Sequence, residues 1–352
     1  MVITLIIGLA ALSVLLIAHE LGHFITAKSV GVRVEEFGLG FPPRLLSFKR
    51  GETRYSLNAI PFGGFNKLAG EEDPKVPGSL ASKSIGARLL VLSAGSLMNF
   101  LLPLLLFSIA FMVPHNLVMG QVVVKEVAPN SPAAIAGLES GDVILRLNEK
   151  PVHNITELQR HVHLNLGKEV TLLIKHTDST TEAVKLTPRW KPPEGQGATG
   201  ILITMLNPTI VSQSYPFWKA VPLGMTEFIK TFVLYKNGII SLIIGAAPAT
   251  VMGPVGIAQI TGEVAKAGIS PLLEIIALIS LILAIVNLFP LPALDGGRIA
   301  FVLLEWVRRG KRVSPKTEGL VHLIGFAMLM AAMLLITYQD ILRIIRGESL
   351  IP

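Results

Sequence analysis

The residues best placed to do chemistry are His19-Glu20-Leu21-Gly22-His23, two imidazoles four positions apart with a carboxylate between them. On an α-helix, positions i and i+4 share a face, so His19 and His23 can offer two nitrogens to one metal ion with Glu20 beside it. Zinc suits imidazole ligands, has no redox chemistry of its own, and in catalytic sites keeps one position open for water. In a chain of this composition the pattern arises by chance in about one sequence in a hundred. The plainer alternative is a satisfied polar cluster at a helix end. A third protein ligand is needed, and the comparable constellation is Asn287-Leu-Phe-Pro290-Leu-Pro292-Ala-Leu294-Asp295-Gly296-Gly297. Pro290 and Pro292 cannot continue a helix, so the chain there is extended or kinked and must line a cavity. Asp295 is then a carboxylate beside two glycines that let backbone approach closely. A helix C-cap made by Gly296-Gly297 is the alternative for this segment.

The elements that must position these groups lie in a membrane. The chain has 352 residues, 51% hydrophobic and 16% charged, with mean hydropathy +0.60, whereas soluble domains carry about a quarter charged residues. Net charge is +7, but the positives fall in patches without aromatic interleaving, which argues against a nucleic-acid binder. The absence of cysteine excludes a disulfide scaffold, a thiol nucleophile and a Cys-ligated metal. Four stretches are long and apolar enough to span: Val2 to about Ala27, Leu89 to Val113, Ile275 to about Leu294, and Gly319 to Thr337. The first lacks a basic start, since its first positive residue is Lys28, and is read as a retained helix rather than a signal peptide. Two histidines and a glutamate inside it are expensive unless paired or functional. Residues 28–88 hold ten Lys/Arg against six Asp/Glu, and residues 298–318 six against two. The positive-inside rule places both segments in the cytoplasm and the termini and 114–274 outside. Spans one and three then run the same way, and both motifs lie towards their inner ends, where they can meet. A fifth apolar stretch, Asn237 to Gly262, is interrupted by Pro248, Gly253, Pro254 and Gly256 and is expected to be re-entrant or to lie against other helices.

Between the spans, Val32 to Leu68 is strand-like: Val32 to Phe37, a turn at Gly38-Leu39-Gly40, then Thr53 to Ile60 after Lys49-Arg50-Gly51. An open strand edge there can pair with an extended peptide; a solvated loop is the alternative. Residues 115–206 carry balanced charge and short elements: a strand from Gln121 to Val127, a short helix capped by Ser131 and ended by Gly137, a strand after Gly141-Asp142, a helix from Ile155 to about Asn165 capped by Asn154 with Glu157 three positions on, and a strand from Val170 to Lys175. His153, His161 and His163 lack a completing acid or thiol and read as exposed helix residues rather than a second metal site. Pro188 to Gly200 reads as linker and final turn. From Tyr215, Phe217 and Trp218 onward, apolar residues recur at helical spacing (Val221, Met225, Phe228, Ile229, Phe232, Val233), as in a helix lying in the membrane interface. Met328, Met330 and Met333 read as packing against lipid or helices.

H-E-x-x-H in the first span, N-x-x-P-x-x-x-L-D-G-G at the third, and an insert carrying Gly137-Leu-Glu-Ser-Gly141-Asp142-Val-Ile-Leu, which is similar to PDZ domains, together resemble the site-2 protease family of intramembrane zinc metalloproteases in its bacterial RseP-type branch. The likeness covers nearly the whole chain. Ile60-Pro61-Phe62-Gly63-Gly64-Phe65, Ala94-Gly95-Ser96-Leu97-Met98-Asn99 and Gly253-Pro254-Val255-Gly256-Ile257-Ala258 agree with it; Ser96 departs, since many relatives have Pro there. The resemblance implies a multi-pass α-helical membrane protein with four transmembrane helices, a membrane-associated β-hairpin and an inserted α+β PDZ domain. Its parts would be 1–114 (two spans and the hairpin region, about 32–68), 115–206 (extracytoplasmic PDZ), 207–271 (amphipathic or re-entrant connection) and 272–352 (spans three and four).

It implies one zinc ion per chain on His19, His23 and Asp295, with Glu20 as general base that later passes a proton to the leaving amine. Asn287 would hydrogen-bond the substrate or transition state near the metal, and Gly63 and Gly64 would contact substrate. The implied setting is the bacterial cytoplasmic (inner) membrane, with the active site towards the cytoplasm. Implied substrates are single-span proteins such as anti-sigma factors or remnant signal peptides, already trimmed by an upstream site-1-type protease. Membrane lipid is the other partner, and nucleic acid is not expected. Two further classes compete. A non-catalytic scaffold presenting a PDZ module would be favoured by loss of Glu20, a histidine or Asp295, and all four residues are present. An ion transporter would want acidic or histidine residues along a path, whereas Glu20 and Asp295 read as the only acids well inside the spans and His322 stands alone.

Overall fold

The computed structural model describes residues 2–247 and 251–346. The chain divides into two compact units, one made of Met1–Ala110 with Val251–Pro352 and the other of Phe111–Thr250.

In the first unit, α1 (Val2–Ser29) and α2 (Ile85–Met112) bracket a pair of long strands, β1 (Val34–Arg50) and β2 (Thr53–Leu68). Among the described residues, four helices are long and apolar enough to cross a membrane: α1, α2, α7 (Ile269–Asn287) and α9 (Pro315–Ile345). At about 1.5 Å per residue each reaches across most or all of a hydrocarbon core of about 30 Å. The side chains of α9 require lipid: Leu323, Met328, Leu334 and Leu335 are all more than half exposed, which water would penalise on this scale.

Two features of the hairpin differ from the sequence reading. Gly38-Leu39-Gly40 is not a turn; it lies inside β1, and the reversal falls at Gly51, whose φ is +62°. Gly38 is needed for close approach, since a Cβ there would stand 2.3 Å from the Phe65 ring and 2.9 Å from Ser56 Oγ. Both strands also bend back on themselves. Glu36 to Leu39 pair on one side with Arg54 to Leu57 and on the other with Gly64 to Lys67, while Leu46 to Arg50 pair with Leu57 to Thr53. Gly64 to Leu68 is therefore an outer segment, and it lies against α1: the Gly63 N–H donates to Ser13 Oγ at 3.2 Å.

The third spanning helix stops at Asn287 rather than near Leu294. Pro290 and Pro292 break the helix, each removing a donor and disfavouring helical backbone in the residue before it. A new helix, α8 (Asp295–Val307), begins at Asp295, so Gly296-Gly297 lies in the first turn of a helix and not at a C-cap. Cβ atoms there would meet the preceding loop, 2.2 Å from Phe289 O and 2.3 Å from Leu291 O. The other end of α8 is anchored by a buried ion pair, Arg88 Nη2 to Glu305 Oε2 at 2.8 Å, reinforced by Arg312 Nε at 3.1 Å.

The interrupted apolar stretch resolves into the end of α5 (Phe217–Ile243) and α6 (Pro254–Ala265); Pro248 lies outside the described residues. Helix α6 packs on α1 through small residues. A Cβ on Gly8 would stand 1.9 Å from Ala258 O, and one on Gly262 1.9 Å from Thr4 O. This is the helix-against-helix alternative. The start of α6 is capped from α9, whose Asp340 Oδ2 accepts from Gly256 N at 2.9 Å. Asp340 is 2% exposed; it lies beyond Thr337, in the part of the last helix that runs on to Ile345.

In the second unit a six-stranded sheet has the order β7-β6-β4-β3-β8, with β5 (Lys150–Pro151) paired to β4. Its strands are β3 (His115–Val127), β4 (Val143–Leu147), β6 (Val170–Lys175), β7 (Thr181–Leu186) and β8 (Ile201–Gln213). Strand β8, which follows the Pro188 to Gly200 linker and which the sequence pattern did not reveal, pairs with β3 along its whole length and runs past residue 206. Helix α3 (Pro132–Ile135) is capped by Ser131 Oγ, and α4 (Ile155–Leu164) by Asn154 Oδ1. Glu157 accepts from the His153 N–H at 2.9 Å, one residue before the position a reciprocal capping box uses. Val122, Val124, Ile144, Leu147, Leu158, Leu172 and Ile174 fill the core. His161 is buried at 6% exposure, not exposed as its helix pattern implied, because α5 lies along α4: Asn237 Nδ2 donates to His163 O at 2.8 Å, and Arg160 pairs with Glu227.

Candidate metal centre

Three side chains from two distant parts of the sequence converge in the first unit. His19 and His23 sit one turn apart on α1, and Asp295 opens α8. His19 Nε2 and His23 Nε2 are 3.2 Å apart, and Asp295 Oδ2 lies 3.1 Å from the first and 3.3 Å from the second. Among the described residues this is the one group of three or more His, Cys, Asp or Glu side chains with atoms placed to share an ion. Ligands about 2.0–2.1 Å from a tetrahedral zinc stand about 3.3 Å from one another, so the triangle has the right dimensions.

The donor chemistry fits as well. The His23 ring places Nδ1 2.7 Å from Val91 O; a carbonyl only accepts, so Nδ1 carries the proton and Nε2 turns a lone pair inward, the orientation expected of a metal-binding imidazole. Asp295 Oδ2 is buried and forms no aligned hydrogen bond with either ring. With His19 Nε2, His23 Nε2 and Asp295 Oδ2 directed at one point, a cation between them would satisfy all three atoms at once. Asp295 also occupies the N-terminal turn of α8, where the helix dipole favours a negative charge.

One wall of the site is backbone. A Cβ on Gly95 of α2 would stand 2.3 Å from His23 Nε2 and 2.6 Å from His19 Nε2, so only glycine leaves room. Gly22 plays the same part on α1, where a Cβ would meet Ala94 O at 2.4 Å. The sequence reading placed both glycines in motifs without assigning them this task.

On the other side, Glu20, His23 and Asp295 line a cavity of about 210 Å³ together with Asn66, Leu68, Glu71, Leu92, Ala293 and Arg298. Arg298, one turn after Asp295, pairs with Glu71. Of the other sequence candidates, Asn287 is the last residue of α7 and lies outside that lining. Gly63 and Gly64 lie outside it too, packed on α1 beside Leu16 and Ile17.

His322 is a residue that sequence reasoning set aside. From α9 its Nδ1 accepts the Ala293 N–H at 3.1 Å, and Ala293 is held at φ +75°, a region that costs a non-glycine residue about 1–2 kcal/mol. Gly325, one turn on, lets the same loop approach: a Cβ there would stand 2.2 Å from Pro292 Cβ. Helix α9 thus grips the short segment that aims Asp295.

Comparison with known sequences adds an independent line. The profile of peptidase family M50 matches residues 7–332. A Clostridium perfringens chain, named by inference as a zinc metalloprotease, is 37% identical over 347 residues, covering 96% of this chain and 98% of its own length. The zinc metalloprotease RasP of Geobacillus kaustophilus is 31% identical over 407 residues, covering 92% and 94%. Among solved structures, the PDZ domain of the SdrC-like protein of Listeria monocytogenes covers 25% of this chain and 92% of its own at 22% identity, with a TM-score of 0.22.

Proposed function

This chain belongs to peptidase family M50 and is a zinc metalloprotease built on membrane-spanning helices, and from that premise we propose that it hydrolyses peptide bonds within single-span membrane substrates, using Glu20 as its base and His19, His23 and Asp295 as its metal ligands. The observation that carries the reading is the triangle of His19 Nε2, His23 Nε2 and Asp295 Oδ2 with Glu20 lining the same cavity.

The division of labour follows from these positions. His19, His23 and Asp295 would hold the zinc ion, which would supply Lewis acidity to the reaction. Glu20, adjacent in sequence to His19, takes the proton from the attacking water and returns it to the amine as the peptide bond breaks. Val91 fixes the His23 ring, and α8 presents Asp295 from its first turn. Asn287, at the end of α7, hydrogen-bonds the substrate or transition state near the metal.

A substrate helix hides its amides in its own hydrogen bonds, and opening one in hydrocarbon costs several kcal/mol unless a new partner is supplied. The outer segment Gly64 to Leu68 is suited to that task. It pairs on one side, with Glu36 to Leu39, and Asn66 and Leu68 face the cavity, so an extended chain added at this edge would pass beside Glu20. Gly63 and Gly64 keep the segment close to α1 and act on the substrate through it.

In this reading the site faces the cytoplasm of a bacterial inner membrane and the Phe111–Thr250 unit, of PDZ type by its Gly137 to Leu145 motif, lies outside. Substrates are anti-sigma factors or remnant signal peptides whose outer portions a first protease has removed. The test is cleavage of a single-span substrate with a short outer portion by the purified chain, compared with the same substrate carrying a large folded outer domain. Preferential cleavage of the short form is expected. Equal cleavage of both would remove the trimming requirement while leaving the hydrolysis intact.

A further inference from the structure

The cavity beside Glu20 contains one polar side chain whose presence the hydrolytic machinery does not explain. Asn66 lines it, and both Asn66 Oδ1 and Asn66 Nδ2 are buried and find no hydrogen-bond partner among the described residues. Its neighbours are accounted for: His23 Nδ1 is bonded to Val91 O, and Glu71 is paired with Arg298. Buried carboxamides are almost always satisfied, and an orphan in an enzyme cavity marks a group kept for something that arrives.

The strand sets its direction. Side chains alternate across a β-strand, so Asn66 and Leu68 share the cavity face. Phe65 points to the other face, where its ring stacks 6.5 Å from Phe41. Asn66 itself is fixed by pairing opposite Phe37. A carboxamide offers one acceptor oxygen and a two-hydrogen donor nitrogen, which together complement the N–H and C=O that a peptide unit exposes when its helix unwinds. Zinc is a poor explanation, because a carboxamide is a weak ligand beside imidazole and carboxylate.

We propose that Asn66 is a substrate-positioning residue, whose carboxamide hydrogen-bonds a backbone amide of the unwound substrate next to the scissile bond and so replaces a hydrogen bond that the substrate helix gives up. The inference rests on the intramembrane hydrolysis proposed above and deepens it.

The experiment uses the full chain in detergent micelles, wild type and Asn66→Leu, with a semisynthetic single-span substrate in which each backbone amide around the cleavage site is replaced in turn by an ester. An ester keeps the carbonyl and loses the N–H. The expected result is that Asn66→Leu retains zinc, lowers kcat/KM about tenfold, the scale of one hydrogen bond, and is non-additive with the ester at one position only. There the wild type falls to the level of the variant and the variant falls little further. Asn66→Ser, which keeps a small hydrogen-bonding group, should fall between the two and covers the case in which leucine prevents folding. Additive losses at every ester position, or full activity in zinc-loaded Asn66→Leu, would overturn the assignment while leaving the hydrolysis standing. A zinc-loaded wild type that cuts no substrate would instead sink the reading beneath it.

Discussion

Removing the grip of α9 on the loop before Asp295 should loosen the metal site without touching a ligand. His322→Leu deletes the acceptor that holds the Ala293 N–H at 3.1 Å. A part-buried N–H left without a partner costs about 1–3 kcal/mol. Ala293 at φ +75° also gains about 1–2 kcal/mol by relaxing to right-handed or extended backbone once released. Relaxation rotates the segment two residues before Asp295. If about 1.4–2.8 kcal/mol of this is felt at the carboxylate, zinc affinity falls about tenfold to a hundredfold, the range seen when outer partners of metal ligands are lost. The assay is a zinc titration of the detergent-solubilised chain against a chromophoric chelator, with thermal unfolding in saturating zinc as a control for folding. His322→Asn, whose Oδ1 can stand where Nδ1 stood, should recover most of the affinity. Wild-type zinc affinity in a folded His322→Leu protein would refute the idea that this loop is held in place by α9.

Gly95→Ala should abolish zinc binding in a chain that still inserts and folds, because its Cβ would stand 2.3 Å from His23 Nε2; metal analysis of the purified variant decides it. Asp340→Leu leaves the Gly256 N–H without the acceptor now at 2.9 Å and should lower stability by about 1–3 kcal/mol, read as a lower unfolding temperature in detergent, with no change expected if α6 needs no cap. In the second unit, hydrogen bonds that the protonated His176 ring donates to Glu182 and then Asp142 raise its pKa above its ordinary value. A raised folded pKa gives stability that is fully present below about pH 6.5 and lost as pH rises through the folded value. Thermal unfolding of this unit followed across that range should show the loss, and His176→Gln should flatten it; an unchanged slope in the variant would remove His176 as its source.

The metal-binding half of the site was legible because it depends on local periodicity. His19 and His23 need only a helix to face one way, and the cost of burying them in an apolar span singled them out. Asp295 was reachable by chemistry, since a third ligand was required and the proline-broken segment offered a carboxylate. Gly95, His322 and Asn66 were not legible, because each acts across a contact between segments far apart in sequence, and nothing in their own neighbourhoods says what they will meet. Glycine also misled. Gly38 and Gly40 signal a turn as readily as a close backbone approach, and only the Phe65 ring lying over Gly38 decides which. Strand β8 went unread because Asn207-Pro208 breaks its pattern, although an edge strand tolerates proline. Asp340 lies beyond the apolar stretch Gly319 to Thr337, and nothing around it in sequence signals the start of α6 that it caps.

The proposed hydrolysis depends most directly on Glu20. The decisive measurement pairs zinc content with cleavage of a single-span substrate by the wild-type chain and by Glu20→Gln. Glu20 is not one of the three residues whose ligand atoms converge, so about one zinc is expected in both proteins and cleavage by the wild type alone. Cleavage by the zinc-loaded Glu20→Gln chain at the wild-type rate would contradict the assignment of the base.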